Sequence, residues 1–174
     1  RGAEVVLVAG PVTLTTGHPS IRRVDVESAA EMYAEVIPAA ADCDIIVSCA
    51  AVADFTPEEK AVSKIKREGE NLCLKLQPTQ DIAAELGKRK KEGQLLVGFA
   101  LETDDEQCNA FQKLKKKNLD LIVLNSLKDE GAGFGGDTNK VTMIDRREHI
   151  QEYALKSKRE VACDIVGRVK NLLS

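Results

Sequence analysis

Two stretches, Gln94-Leu-Leu-Val-Gly-Phe-Ala100 and Leu119-Asp-Leu-Ile-Val-Leu124, decide the fold. Both are short, nearly continuous apolar runs, the pattern of strands buried on both faces of a parallel sheet. Working outward, Glu4-Val-Val-Leu-Val-Ala-Gly10 and Asp44-Ile-Ile-Val-Ser-Cys-Ala50 repeat the pattern. Helical segments separate these runs. Ser28-x-x-Glu31 and Thr103-x-x-Glu106 have the form of capping boxes, which predict helices over about 29–41 and 104–117, the first with a possible kink at Pro38. A third helix is expected from Thr79 or Gln80 to about Lys91. A fourth is expected over 160–173, with Val161, Ile165, Val169 and Leu172 on its apolar stripe. Strands alternating with helices give an α/β class: a Rossmann-like, mostly parallel sheet with helices on both faces.

Two stretches interrupt the alternation. Between Phe55 and Gln77 the sequence suggests a flap, with strands at Ser63 to Lys66 and Asn71 to Leu76 around a turn at Gly69. Between Lys128 and Thr138 it is glycine-rich, then predicts a strand at Val141 to Ile144 and a turn at Asp145-Arg-Arg147, read together as a β-hairpin extension. At the start, Gly2 reads as a helix C′ residue leading into the first strand. A doubly wound fold would place another strand and a glycine-rich turn before that helix. With 174 residues, 43% of them hydrophobic, the chain is expected to form one domain over 1–174.

A formal net charge of −3 supplies no broad positive field, so neither nucleic acid nor an anionic membrane is expected as a partner. The five cysteines include no C-x-x-C pair, a usage that points to the reducing cytoplasm. No apolar run reaches the roughly 20 residues of a membrane span.

Ligands of open parallel sheets bind beyond the carboxyl ends of the strands, which draws attention to Cys49-Ala-Ala-Val-Ala-Asp54. Its small residues would let a ligand approach the backbone, with an acid at the rim; a tightly packed junction with a solvated Asp54 is the alternative. Lys64-Ile-Lys66 would project both lysines from one face of a strand, either to close over a phosphate or to line a solvated edge. Lys113 and Lys117, four apart on one helix face, would make a polyphosphate clamp or simply favour the helix dipole.

Gly131-Ala-Gly133-Phe-Gly135-Gly136 satisfies G-x-G-x-x-G, but turn and strand follow it where the dinucleotide fingerprint needs a helix. His18 and His149 have no neighbours at metal-ligand spacing, and no G-x-S-x-G elbow is present.

Taken in order, Val8-Ala-Gly-Pro-Val12, Cys49-Ala-Ala-Val-Ala-Asp54, Lys64-Ile-Lys66, Asp81-Ile82, Val97-Gly-Phe-Ala-x-Glu-Thr103, Lys117-Asn-Leu-Asp-Leu-Ile122 and Gly133-Phe-x-x-Asp-x-Asn139 resemble phosphopantothenate–cysteine ligases of the bacterial type. The resemblance covers nearly the whole chain. It implies a ligase of coenzyme A biosynthesis that forms an amide between 4′-phosphopantothenate and cysteine. The CTP and Mg2+ of the family would serve it through an acyl-cytidylate, with release of pyrophosphate and CMP. It also implies a homodimer, with the hairpin extensions near its interface, and often a fused decarboxylase half that carries FMN.

Residue by residue, the resemblance implies nucleotide contacts from Ser48, Cys49, Ala50 and Asp54. Gln80, Asp81, Ile82 and Ala83 would meet the nucleotide at a helix N-terminus, and Phe99 would line its pocket. Lys113 and Lys117 would hold the phosphates, and Lys64 would be the catalytic flap lysine. No protein side chain is implied as a metal ligand. Thr79-Gln80 stands where the family usually has Asn-Pro. The family's first strand and its Ser-Ser-Gly-Lys-Met-Gly loop are not among these 174 residues, which suggests an N-terminally truncated piece. Two other classes compete: a non-catalytic Rossmann-like nucleotide-binding or interaction domain, and a nicotinamide-dependent oxidoreductase.

Overall fold

A computed structural model describes residues 2–59, 61, 63–66, 71–102, 105–126 and 136–173. Two compact units emerge, one from Arg1–Val36 with Ala50–Asp81, the other from Ile37–Cys49 with Ile82–Ser174. The elements in chain order are β1 (Val5–Ala9), β2 (Ile21–Asp25), α1 (Ala29–Ala40), β3 (Ile45–Ser48), β4 (Phe55–Pro57), β5 (Leu76–Pro78), α2 (Ile82–Arg89) and β6 (Leu95–Glu102). There follow α3 (Glu106–Lys116), β7 (Leu121–Ser126), β8 (Thr138–Asn139), β9 (Val141–Asp145), β10 (Ile150–Glu152), β11 (Lys156–Ser157) and α4 (Lys158–Leu173).

The second unit is built on a five-stranded sheet of order β10-β9-β7-β6-β3. β3, β6 and β7 are parallel, while β9 joins β7 antiparallel and β10 joins β9 antiparallel. Strand alternation sorts the sheet's side chains between two faces. Val97, Leu121, Val123, Val141 and Met143 meet Val161, Ile165 and Val169 of α4 in one buried cluster. Leu96, Ala100, Ile122, Leu124 and Ile144 are buried on the alternate positions, and α2 and α3 pack against β6 and β7. The α/β expectation of helices on both faces of a mostly parallel sheet is thus met.

At Gly98 the Leu119 side chain lies close: a Cβ there would stand 2.6 Å from Leu119 Cδ1, so that side chain would have to shift. At the end of the sheet where β7 starts, buried Asp120 accepts from Leu96 N (2.7 Å) and Lys90 Nζ (2.8 Å), and pairs with Arg146 Nε (2.9 Å). Four segments are thereby tied together: the end of α2, the start of β6, the α3–β7 loop and the β9–β10 turn.

In the first unit β1 and β2 pair in parallel and β4 pairs antiparallel with β5. Several expectations are corrected. The flap strands are not Ser63 to Lys66 and Asn71 to Leu76; pairing instead joins Phe55–Pro57 to Leu76–Pro78, and Lys64 to Lys66 form no strand. The predicted turn at Gly69 lies outside the described residues. The hairpin β9–β10 is no extension: Val141, Met143 and Ile144 are almost fully buried, and β9 is hydrogen-bonded into the main sheet. Burial on both faces holds for β6 and β7 but not for β3, where Ile45 and Val47 are exposed at the sheet edge, nor for β1, whose Val5, Val6 and Leu7 are also exposed.

β2, with Arg22 and Arg23 at its centre, carries no apolar run, and the sequence reading missed it. The Ser28 cap is present: Ser28 Oγ accepts from Glu31 N at 3.2 Å, while Glu31 reaches back to Glu27 N at 2.8 Å. Pro38 lies inside α1. Thr103, the cap predicted for α3, lies outside the described residues; Asp105 is the N-cap, with φ 42° and no side-chain capping bond. α2 is shorter than expected, beginning at Ile82. α4 starts at Lys158 on an unforeseen capping box: Ser157 Oγ accepts from Glu160 N (3.3 Å) and Glu160 Oε2 accepts from Ser157 N (3.0 Å). No helix among the described residues is long and apolar enough to cross a membrane.

Candidate functional site

Beyond the carboxyl ends of the parallel strands, the second unit contains a cavity of about 290 Å3 lined by Cys49, Phe99, Leu101, Asn125, Asn139, Lys158, Val161, Ala162 and Ile165. Its construction follows from register. Phe99 pairs with Val123, and Leu101 with Asn125, so these residues continue the face of β6 and β7 that α4 covers. Cys49 is the residue after β3, and the first turns of α4 close the opposite wall with Lys158, Val161, Ala162 and Ile165. The position is where an open α/β sheet binds its ligands.

The polar features of this cavity are few. Asn139 Nδ2 donates to Asn125 Oδ1 at 2.9 Å, whereas the buried Asn139 Oδ1 has no hydrogen-bond partner among the described residues. A buried acceptor left unpaired costs about 1–3 kcal/mol. Asn139 is itself held by β8, which pairs with β11, and by Lys158 N donating to Asp137 O at 2.8 Å. Desolvation pushes the Cys49 thiol above its ordinary value, and a backbone hydrogen bond recovers part of the shift.

The cavity brings together two of the residues singled out from sequence, Cys49 and Phe99. Ser48 ends β3, and Ile82 and Ala83 open α2, Ile82 buried and Ala83 half-buried. Lys113 is in the last turn of α3 and Lys117 is its C-cap, donating its N–H to Lys113 O at 2.9 Å. They lie toward the end of the sheet where β7 starts, off the wall of this cavity.

The remaining candidates belong to the first unit. Ala50 and Asp54 are exposed in the loop before β4; Thr79 N donates to Asp54 O at 2.9 Å, and Thr79 Oγ1 to Ala53 O at 2.6 Å. That pair of bonds places Gln80 and Asp81 next to the Asp54 loop, and explains what a threonine does at position 79. Lys64 is exposed, while its neighbour Ile65 lines a second cavity with Leu72 and Leu74.

Asn125, Asn139 and Lys158 were not put forward as site residues from the sequence. Asn125 is the first polar residue after the Leu119–Leu124 run and Asn139 closes a quoted motif, so both carried a signal; their pairing needed the fold. The glycine-rich residues 131–135 lie outside the described residues.

Residues 1–173 match the family described as the DNA/pantothenate metabolism flavoprotein C-terminal domain. The chain is 44% identical over 171 residues to the coenzyme A biosynthesis bifunctional protein CoaBC of Bacillus subtilis, covering 98% of this chain and 42% of that protein. It is 57% identical over 172 residues to a cysteine/cysteine sulfinic acid decarboxylase from an unknown prokaryotic organism, covering 99% of this chain and 48% of the other. The chain therefore spans less than half the length of these two relatives. The crystal structure of the C-terminal domain of CoaBC superposes with a TM-score of 0.81 at 35% identity, covering 99% of this chain and 76% of that one.

Proposed function

Because the chain belongs to the family of DNA/pantothenate metabolism flavoprotein C-terminal domains, we propose that it is a synthetase domain over 1–174. It joins 4′-phosphopantothenate to L-cysteine at the expense of CTP, in coenzyme A biosynthesis. The observation that carries this reading is the similarity, along nearly the whole chain, to the C-terminal domain of CoaBC. The cavity at the strand ends supports it with a place for part of a ligand.

A carboxylate is a poor acyl donor until its oxygen becomes part of a good leaving group. The carboxylate oxygen of phosphopantothenate bonds to the α-phosphorus of CTP as the bond to pyrophosphate breaks. The amine of cysteine then attacks the acyl carbon, loses a proton, and expels CMP as the amide forms. The protein's share is positioning and charge stabilisation. Ser48, Cys49, Ala50, Asp54 and Gln80 to Ala83 contact the nucleotide, Phe99 forms part of its pocket, Lys113 and Lys117 hold phosphate oxygens, and Lys64 covers the reacting phosphate. Mg2+, when bound, would supply charge neutralisation at the phosphates, whose oxygens are the hard ligands it prefers, and no side chain of this chain is assigned to it. Among the described residues no group of three or more His, Cys, Asp or Glu side chains gathers to hold a metal.

The protein works in the cytoplasm as a homodimer. Where a decarboxylase half is fused to it, that half carries FMN and acts on phosphopantothenoylcysteine. The test is Lys64→Ala in a polypeptide that includes the family's first strand and phosphate loop. Product formation falls at least tenfold with unfolding temperature unchanged; ligation at the original rate would take Lys64 out of the chemistry.

A further inference from the structure

We propose that Asn139, braced by Asn125, is a specificity-determining residue of the cavity, whose Oδ1 accepts a hydrogen bond from an uncharged N–H group of the ligand. The proposal rests on the ligase reading and adds to it a residue and a chemistry. Asn139 is 8% exposed. Its amide has two ends with different fates: Nδ2 is committed to Asn125 Oδ1 at 2.9 Å, and the buried Oδ1 has no partner among the described residues. In the structure the Asn125 bond takes Nδ2, which leaves Oδ1, an acceptor, as the vacant end. Native proteins pair nearly all such groups, and an exception calls for a partner.

The surroundings select the donor. Phe99, Leu101, Val161 and Ile165 make the walls apolar, so a charged donor would be desolvated at high cost. Lys158 on the same wall opposes a cation, which disfavours an ammonium group such as that of free cysteine. An anion would face the amide oxygen. A neutral N–H on an apolar or aromatic body satisfies all three conditions. The proposed substrates offer it from two sources, the exocyclic amino group of cytosine and the amide N–H of the pantothenate arm.

The experiment uses the full-length native polypeptide and calorimetric titration with two ligand pairs. CTP is compared with UTP, which has an oxo group where CTP has the amine. Phosphopantothenate is compared with its ester analogue, with oxygen in place of N–H. Wild type is set beside Asn139→Ala and the milder Asn139→Ser, each checked by thermal unfolding. In wild type the donor-bearing member of one pair binds roughly tenfold or more tightly, and in folded Asn139→Ala that ratio falls toward one while the other pair is unaffected. The pair that collapses identifies the source. If Asn139→Ala does not fold, the same ratio in Asn139→Ser decides. Unchanged ratios in a folded variant overturn the proposal, as does an equal loss for all four ligands, which marks a structural role. A wild type that binds none of the four overturns the ligase reading and this proposal with it; normal binding with unchanged ratios overturns this proposal alone.

Discussion

Replacing Gly87 by alanine sets two physical effects against each other. Gly87 is buried within α2, and helix propensity alone makes alanine better there by about 1 kcal/mol. The structure predicts the reverse. A Cβ at position 87 would stand 1.9 Å from the carbonyl oxygen of Lys117 and 2.8 Å from its carbon, where real Cβ atoms essentially never come under 3.0 Å. The obstacle is backbone, so α2 or the α3–β7 loop must move by about 1 Å. Over-packing of this kind costs about 1–3 kcal/mol and sometimes more. The same movement disrupts the bond from Asn118 Nδ2 to Gly87 O, now 2.7 Å, worth about 1 kcal/mol. After the propensity gain the net loss is about 1–3 kcal/mol, which for a chain of this size lowers the unfolding temperature by roughly 2–12 °C. Differential scanning calorimetry of Gly87→Ala measures it directly. An unchanged or higher unfolding temperature would show that the close approach of α2 to Lys117 is wrong.

Asp145 is almost fully buried; desolvation would raise its carboxyl, but bonds from His149 N, Arg147 N and the His149 ring, with the charge of Arg168, outweigh it and hold the group below its ordinary value. It therefore binds a proton less readily when folded, so its stabilisation is complete above about pH 4 and is lost as pH falls through the lower folded value. Asp145→Asn flattens that acid limb in urea titrations across pH and costs about 1.5–3 kcal/mol at pH 7. Ser157→Ala removes the cap of α4 and costs about 1 kcal/mol, read as a lower urea midpoint with faster amide exchange at the start of the helix. The raised Cys49 thiol predicts alkylation that climbs with pH through a midpoint above that of a free thiol, and a ligand in the cavity slows it; mass spectrometry of the modified peptide follows both.

The parts of the fold that were legible are those in which burial writes itself into composition. β6 and β7 are buried on both faces and so are continuous apolar runs, and α4 shows its stripe at Val161, Ile165 and Val169. β2 was illegible because its central arginines are solvated or paired, Arg23 with Asp25 at 2.7 Å. β4 and β5 are three-residue strands with mostly exposed side chains, so no hydrophobic period fixed their register, and the flap strands were placed too close to its tip. The β9 strand was found, but one strand's sequence does not say which neighbour it pairs with, and its union with β7 turned an expected extension into sheet core. Ser157-x-x-Glu160 has the form of a capping box in the sequence itself. At the site, Cys49 was legible from its position where the Asp44–Ala50 run ends, whereas Phe99, inside its own run, came only from the family resemblance. The Asn125–Asn139 pair joins residues 14 apart, a juxtaposition created by folding.

The central claim is the two-step ligation, and its most direct test is pyrophosphate release from CTP by a polypeptide containing this chain together with the family's first strand and phosphate loop. The account predicts release that requires phosphopantothenate and is independent of cysteine in the first turnover, with CMP and the amide product appearing once cysteine is added. A folded protein that releases no pyrophosphate in the presence of all three substrates would contradict it.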